Sequence, residues 1–189
     1  LIITCDCGIN DQTEVNYAVE KYALDIIITD HHDPDPERFP NQALAVLNPK
    51  LPHCPYPDKN LSGAGIAFKL IQALSETILG PKKSINFCQK YLEISAIGLI
   101  ADCVPLQGEC RIISKIGLQN MKHSHWDGLN KLFIQNSISP QSINEETVGF
   151  TIAPRLNAAS RIGNVLVACQ LFLGHVSEKA RARNADPNI

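Results

Sequence analysis

The sequence predicts an α/β fold in which a parallel sheet is flanked by helices and the second half is helical. Two short apolar runs, at residues 1–3 and 26–28, are typical of strands buried in a parallel sheet. A helical pattern separates them, which indicates a β-α-β unit with parallel strands. Later apolar residues follow helical spacing in segments 84–99, 109–121 and 127–134. Strands early and helices later favour a sheet core with a helical extension.

The first predicted strand ends in an acidic residue. Asp6 follows the apolar run, and Gly8 allows the backbone to turn there. Residues 11–22 are predicted to form the connecting helix, because Asp11 can cap it and Glu14 stands three positions later. The apolar face of this helix would comprise Val15, Ala18, Val19 and Tyr22.

The second predicted strand is followed by Asp30-His31-His32. Ligands bind at the carboxyl ends of the strands in open parallel sheets, so Asp6 and His31 should lie at one edge. A third acid, Asp102, follows the apolar segment 94–100 and could join them. Imidazole and carboxylate groups together favour Mn, Zn, Fe or Mg as the bound species. Taken singly, Asp6 or Asp102 could equally be a helix cap or a turn former.

A glycine-rich segment opens the next predicted helix. Residues 43–47 are predicted as a third short strand and 48–60 as an irregular connection, before Ser62-Gly63-Ala64-Gly65 leads into the helix. Backbone N–H groups exposed by such a turn can hold phosphate, which makes Gly63 and Gly65 candidate contacts for nucleic acid. The alternative is a tightly packed helix start that needs small residues.

Composition and charge bound the class of protein. The 189 residues are 44% hydrophobic, enough for one domain with a substantial core. The net charge of −2 provides no general attraction to nucleic acid. Residues 1–60 hold 4 basic and 10 acidic side chains, which suits an end that binds cations. Residues 155–189 hold 5 basic and 2 acidic side chains, which suits an end that faces anions. An uneven scatter of solvated charges is the plainer alternative.

The cysteines and the hydropathy bear on location. Seven scattered cysteines, an odd number, argue against a secreted disulfide framework and favour reduced thiols in a cytoplasmic protein. No apolar run approaches the roughly 18 residues that a membrane-spanning helix needs. We therefore expect no contact with membranes.

Three spaced motifs resemble those of the DHH phosphoesterase superfamily: Asp6-Cys7-Gly8, Asp30-His31-His32 and Gly98-Leu99-Ile100-Ala101-Asp102. Further blocks resemble its RecJ branch, the single-strand-specific 5′ to 3′ exonucleases. These blocks are Leu47-Asn48-Pro49 and residues 61–69, 101–106 and 154–161. The resemblance extends from residue 1 to about residue 173, nearly the whole sequence. It also implies that the turn at residues 62–65 lies near the site, where it either supports the metal-binding edge or touches the nucleic-acid backbone.

The resemblance implies a role for each residue of the first three motifs. Asp6 would bridge two Mn²⁺ or Mg²⁺ ions, and His31 and Asp102 would complete the shell of one ion. His32 and Asp30 are the implied catalytic residues. His32 would face the scissile phosphate, and Asp30 would orient an imidazole ring.

Block 154–161 is the predicted contact with nucleic acid. Arg155 and Arg161 bracket a run of small residues, and guanidinium groups bind phosphate through paired hydrogen bonds. We expect Arg155, Asn157 and Arg161 to bind the strand at a turn that lets it approach closely. The block of the RecJ branch carries glycine where this sequence has Ser160.

The resemblance also implies how the chain is organised. The predicted DHH domain spans residues 1–175 and is N-terminally incomplete, because an earlier motif that supplies ligands to the second ion is missing. Residues 176–189 would be a tail or the start of a linker to a further domain. We expect two ions in the complete protein, one or none in these 189 residues, and weak or no activity from them alone.

The implied function is digestion of single-stranded DNA to mononucleotides, 5′ to 3′, in DNA repair and recombination. A single-strand-binding protein and a recombination helicase are the implied protein partners. Two alternatives stay open. One is a DHH enzyme that acts on pyrophosphate, nanoRNA or a cyclic dinucleotide, and the other is an inactive RecJ-like replication scaffold.

Overall fold

A parallel sheet begins the structure, a computed structural model that describes residues 1–161 and 165–173. Within this part, three strands pair in the order β1 (Ile2–Cys5), β2 (Ile26–Thr29) and β3 (Ala45–Leu47). Helix α1 (Gln12–Tyr22) joins β1 to its parallel neighbour β2. The predicted β-α-β unit is therefore confirmed.

The register of the sheet places the aspartates that follow β1 and β2 next to each other at one edge. Cys5 pairs with Thr29, so Asp6 and Asp30 are the first residues to leave the sheet on neighbouring strands. The β2 strand is largely buried, as expected for a strand with neighbours on both sides. The prediction that β1 is buried is wrong, because its side chains are largely exposed at the edge of the described sheet.

Two details of α1 differ from the sequence prediction. Asp11 has φ −109° and ψ 48°, away from the extended backbone typical of a capping residue, and its carboxylate makes no capping hydrogen bond. Tyr22 is exposed and packs edge-on against Tyr17 instead of joining the apolar face. That face is therefore narrower than predicted and centres on Val15, which packs with the β2 residues Ile26 and Ile28.

The later elements are helical. They are α2 (Gly63–Leu79), α3 (Pro81–Gln89), α4 (Leu92–Ala101), α5 (Gly108–Met121), α6 (Asp127–Gln135), α7 (Glu145–Thr147), α8 (Ala153–Arg161) and α9 (Val165–Leu173). A 3₁₀ turn at Pro140–Ser142 precedes α7, and a π-helical turn at Val148–Ile152 follows it. The helical second half is confirmed, although residues 84–99, predicted as one helix, belong to two helices that are separated at Lys90 and Tyr91.

The chain divides into two compact units, one of residues 1–118 and one that starts at Gln119. In the first unit, α2 packs against α3 and α4. The helical core of this unit comprises Leu61, Ile66, Phe68, Cys88, Leu99, Cys110 and Ile113. In the second unit, α9 packs against α6 and α8. The predicted tail, residues 176–189, lies outside the described residues.

All seven cysteines fall within the described residues and are free. Cys88 and Cys110 are buried, and the other five are partly or fully exposed. In the described part of the chain, no helix combines the length and the apolar character needed to cross a bilayer.

Candidate metal centre

The end of β1 presents Asp6 through an unusual backbone conformation. Asp6 has a left-handed φ of 64°, and its N–H donates to the carbonyl oxygen of Thr29 at 2.9 Å. Aspartate tolerates this region better than most residues, because its short polar side chain can bond locally. Gly8, two residues later, also has a positive φ, of 109°, so the predicted glycine turn is present.

Two carboxylates converge on one ring nitrogen of His31. Its Nε2 lies 3.1 Å from Oδ1 of Asp6 and 3.6 Å from Oδ2 of Asp102. The side chain of His31 is 14% exposed, whereas those of Asp6 and Asp102 are 54% and 39% exposed. The ring is thus held inside the protein while both acids border solvent. The structure brings the three predicted ligands together, and their role in metal binding stays a prediction.

The sequence left open whether Asp102 is a candidate ligand or a residue that ends a helix, and the structure gives it features of both. It directly follows α4, and its N–H donates to the carbonyl oxygen of Gly98 at 3.0 Å, so it terminates the helix. Cys103 then reverses the chain with a left-handed φ of 56°. The Asp102 side chain nevertheless reaches His31, which means that a helix end positions a candidate ligand.

The donor set fits a divalent cation. Asp6, His31 and His32 each offer one ligand atom, and these atoms lie within 4.8 Å of one another. Carboxylate oxygens with one or two imidazole nitrogens suit Mn²⁺ and Zn²⁺, and carboxylates also suit Mg²⁺. The ring of His32, predicted to face a phosphate, therefore also lies within reach of a metal held by the other two residues.

Asp30 is buried and fastens the segment that carries both histidines. Its Oδ1 accepts the N–H groups of His31 (2.7 Å) and His32 (3.2 Å) and lies 2.7 Å from Nδ1 of the His32 ring. Its Oδ2 accepts the N–H of Ile9 at 2.9 Å. Burial alone would raise the pKa of Asp30, but the hydrogen bonds from Ile9, His32 and His31 outweigh burial and lower this pKa.

The same contact sets the chemistry of the His32 ring. The hydrogen bond with Asp30 raises the pKa of His32, against a smaller opposing effect of partial burial. Because Nδ1 is engaged by Asp30, Nε2 is the ring nitrogen available to a metal or a phosphate. Asp30 thus contacts an imidazole ring, and the role in orienting that ring that the resemblance implies stays a prediction.

The glycine-rich segment supports the carboxylates. A Cβ at Gly63 would overlap the side chain of Asp6, so this close approach requires glycine. Ser62 caps α2, and its Oγ accepts the N–H of Gly65 at 3.2 Å. Gly65 itself is buried against leucine side chains. Both glycines therefore serve close packing, and their contact with nucleic acid remains untested.

Two asparagines, to which the sequence analysis assigned no role, hold the loop after the histidines. Asn48 donates from Nδ2 to the carbonyl oxygen of His32 at 2.8 Å, and its Oδ1 accepts the N–H of Lys50 at 2.8 Å. Asn10 donates to the carbonyl oxygen of Asp33 at 3.0 Å. An asparagine before proline at the end of a predicted strand is a turn signal, and this signal could have drawn attention to Asn48.

A cavity of about 560 Å³ in the first unit contains none of the predicted site residues. Its walls are mainly apolar side chains of β3 and of residues 49–54. Asn48 lines this cavity and also binds the main chain of His32. The lining of this cavity lacks carboxylates. We therefore place the candidate chemistry at Asp6, His31 and Asp102, which we call the carboxylate cluster.

The contacts with nucleic acid predicted from block 154–161 lie on α8, in the second unit. Arg155, Asn157 and Arg161 are exposed. The predicted turn is wrong, because residues 153–161 form a helix, to which three alanines are well suited. The guanidinium of Arg155 donates to the carbonyl oxygen of Thr151 at 2.7 Å. Helix geometry separates Arg155 and Arg161 by about 120° around the axis and about 9 Å along it, so they would meet different phosphates.

Comparison with known proteins identifies relatives over most of the chain. Residues 1–99 match the sequence model of the DHH family, N-terminal domain. The single-stranded-DNA-specific exonuclease RecJ of Bacillus subtilis is 42% identical over 186 residues, which are 98% of this chain and 22% of that protein. The protein of the same name from Haemophilus influenzae is 35% identical over 187 residues, 96% of this chain and 32% of that protein. The chain thus spans about a fifth to a third of these curated relatives.

Solved structures show the same fold. A crystal structure of exonuclease RecJ bound to manganese matches with a TM-score of 0.77 and 35% identity, over 96% of this chain and 44% of that one. RecJ from Thermus thermophilus with Mn²⁺ matches with a TM-score of 0.76 and 36% identity, over 96% and 26%. The structure of the same protein with Mg²⁺ matches with a TM-score of 0.64 and 31% identity, over 96% of this chain and 24% of that one. These neighbours carry the metals that the donor set fits.

Proposed function

Because the chain belongs to the DHH family, we propose that it forms the metal-binding part of an exonuclease that degrades single-stranded DNA with Mn²⁺ or Mg²⁺. The observation that carries this proposal is the convergence of Asp6 and Asp102 on Nε2 of His31. Similarity to proteins named single-stranded-DNA-specific exonucleases supports the substrate. Digestion from the 5′ end to mononucleotides, in DNA repair and recombination, completes the proposal.

The roles proposed for the carboxylate cluster come from the family resemblance, and exposure and donor chemistry support them. Asp6, His31 and Asp102 would hold one ion, with Asp6 shared with a second. A bound divalent cation lowers the pKa of attacking water and offsets charge on the phosphoryl oxygens. The two exposed acids would keep the site open to a DNA strand, and the more buried His31 contacts both of them through Nε2.

His32 and Asp30 would act on the phosphate itself. The side chain of His32 is exposed, so a phosphodiester can reach its free Nε2. Asp30 binds Nδ1 of the His32 ring and accepts the main-chain N–H groups of His31 and His32. These contacts would fix the direction of the ring. His32 is therefore the proposed catalytic residue of this pair, and Asp30 orients it.

The remaining parts of the proposal concern binding and location. Arg155, Asn157 and Arg161 would contact the DNA backbone from α8, with gaps left by small residues between them. The seven free cysteines support a reducing, cytoplasmic location. A single-strand-binding protein and a recombination helicase are proposed partners on the family resemblance alone.

The test uses the full-length natural protein with Mn²⁺ or Mg²⁺. Single-stranded DNA labelled at either end, and pyrophosphate, are offered to the wild type and to Asp6→Asn. We expect metal-dependent release of mononucleotides from the 5′ end that disappears in the variant. Rapid pyrophosphate turnover with intact DNA would contradict the proposal in favour of a small-substrate enzyme. Inertness towards both, with the fold preserved, would favour a scaffold.

A further inference from the structure

We infer that Asn48 is a positioning residue that holds the main chain of His32, and through it the imidazole ring, in place for phosphodiester hydrolysis. The inference rests on the proposed function, because it assigns a reason why the ring must be fixed. Asn48 lies in the Leu47-Asn48-Pro49 block, which the proposed function leaves without a task.

His32 depends on hydrogen bonds for its position. Its side chain is 59% exposed, and the ring of His31, whose centroid lies 4.7 Å from its own, belongs to the same loop and cannot fix that loop against the sheet. Asp30 holds the N–H and the ring Nδ1 of His32. Asn48 holds the third point, the carbonyl oxygen, at 2.8 Å. This carbonyl lies three residues beyond the end of β2, and without Asn48 the peptide after His32 would lose this hydrogen bond to the residue that follows β3.

Asn48 is well placed to act as a fixed point. It is 3% exposed and directly follows β3, whose last residue, Leu47, accepts the N–H of Asp30 at 3.1 Å. The N–H of Lys50 binds its side-chain oxygen, which fixes the orientation of the amide. Pro49 restricts the backbone of Asn48 to extended conformations. The side-chain amide of Asn48 thus ties the loop after His32 to the end of β3.

The two hydrogen bonds of Asn48 require opposite chemistry. Its Nδ2 donates to a carbonyl oxygen, and its Oδ1 accepts an N–H. Aspartate has nearly the same shape but only accepts when ionised, so it keeps the bond from Lys50 and loses the bond to His32. Asn48→Asp therefore removes the hydrogen bond to His32 while it leaves the hydrogen bond from Lys50 in place.

The kinetic experiment compares Asn48→Asp and Asn48→Ala with the wild type, in the full-length protein. For both variants we expect at least a tenfold fall in kcat on single-stranded DNA, with KM and Mn²⁺ affinity within about threefold. Lys50→Ala is the matched control, because it keeps the Lys50 N–H and loses only a surface ion pair with Asp33. An unchanged kcat in Asn48→Asp, or a parallel loss of Mn²⁺ affinity, would overturn the inference.

A second readout needs neither DNA nor metal. In protein labelled with ¹⁵N-histidine, the wild type should show a distinct Nδ1 signal for His32, assigned by its loss in His32→Gln. Asn48→Asp should broaden or shift this signal, and Lys50→Ala should not. An unaltered His32 spectrum in Asn48→Asp refutes the hold on the ring. If the wild type fails to cut DNA, the proposed function falls and the catalytic part of the inference falls with it, whereas the histidine spectrum still tests whether Asn48 holds the ring of His32.

Discussion

Gly63 packs directly against the carboxylate of Asp6, the residue that leaves β1 in a left-handed conformation. In Gly63→Ala the added methyl group would overlap that carboxylate and displace it from His31. We expect Mn²⁺ binding to weaken at least tenfold, about 1.4 kcal/mol, by titration calorimetry. Alanine is better than glycine in a helix by about 1 kcal/mol, so loss of helix stability would not explain this result.

Gly65→Ala is the matched control for that change. Its methyl group would meet the flexible end of Leu61 at 3.0 Å and touch no candidate ligand. Mn²⁺ affinity should therefore stay at the wild-type level. Equal Mn²⁺ affinity in Gly63→Ala and Gly65→Ala would contradict a supporting role for Gly63.

Mn²⁺ should stabilise the protein against heat. A ligand that binds only the folded state at a hundred times its Kd adds about 2.7 kcal/mol to the free energy of unfolding. We expect Mn²⁺ to raise the Tm of the wild type, and chelation with EDTA to reverse the rise. Asp6→Asn and Asp102→Asn should lose most of the effect, and Asp33→Asn, a nearby exposed acid, should keep it. A full Tm rise in Asp6→Asn would remove this residue from the metal site.

Asp30→Asn should destabilise the fold. Asparagine keeps one acceptor oxygen, but its amide nitrogen would replace one of the two carboxylate oxygens, both of which accept N–H groups. A buried donor left without an acceptor costs about 1–3 kcal/mol in the free energy of unfolding. Urea unfolding should show this loss, whereas Asp11→Asn should change stability little because Asp11 makes no capping hydrogen bond. Equal unfolding midpoints for the two variants would contradict the role assigned to Asp30.

Cys110 should make stability depend on alkaline pH. Burial, with smaller effects of Asp58, raises the pKa of this core thiol from 9.0 to about 12. The folded state therefore binds the thiol proton more tightly than the unfolded chain does. The resulting stabilisation is complete below the unfolded pKa and is lost as pH rises through the folded pKa. The difference in free energy of unfolding between wild type and Cys110→Ala should narrow from pH 9 upward, and a constant difference would argue against the shift.

Arg155 and Arg161 should contribute separately to binding of DNA. Each phosphate contact on a single strand adds about 0.7 to the slope of log affinity against log salt concentration. Arg155→Ala and Arg161→Ala should each reduce the slope by about that amount, and the double variant by about twice as much. Fluorescence anisotropy with an oligothymidylate in EDTA measures the slope without cleavage. An unchanged slope in the double variant would exclude α8 from the contact.

The parts of the site that depend on strand order could be predicted from the sequence. Parallel strands end at one edge, which is why the sequence alone places Asp6 and His31 together. Asp102 was harder to predict, because it arrives from a helix, and the spacing of the family motifs supplied that expectation. The β-α-β order follows from two apolar runs and the helical pattern between them.

The parts that depend on contacts between distant segments could not be predicted. Nothing in the local sequence of Gly63 reveals that Asp6 lies against it, and a phosphate-binding turn was the competing reading. The link from Asn48 to His32 also joins segments that only the sheet brings together. The prediction of a turn in block 154–161 is wrong, because it treats the small residues as a turn signal although alanine is the strongest helix former among them.

The pairing of Cys5 with Thr29 also limits where this chain can change in length. One residue added inside β1 would turn the side chains beyond it to the opposite face of the sheet and carry Asp6 away from His31. Residues added at the exposed turn 36–38 would leave both strand ends where they are. Insertions and deletions among relatives should therefore collect in such turns, and a reporter peptide for labelling the protein belongs at Glu37, not in the strands.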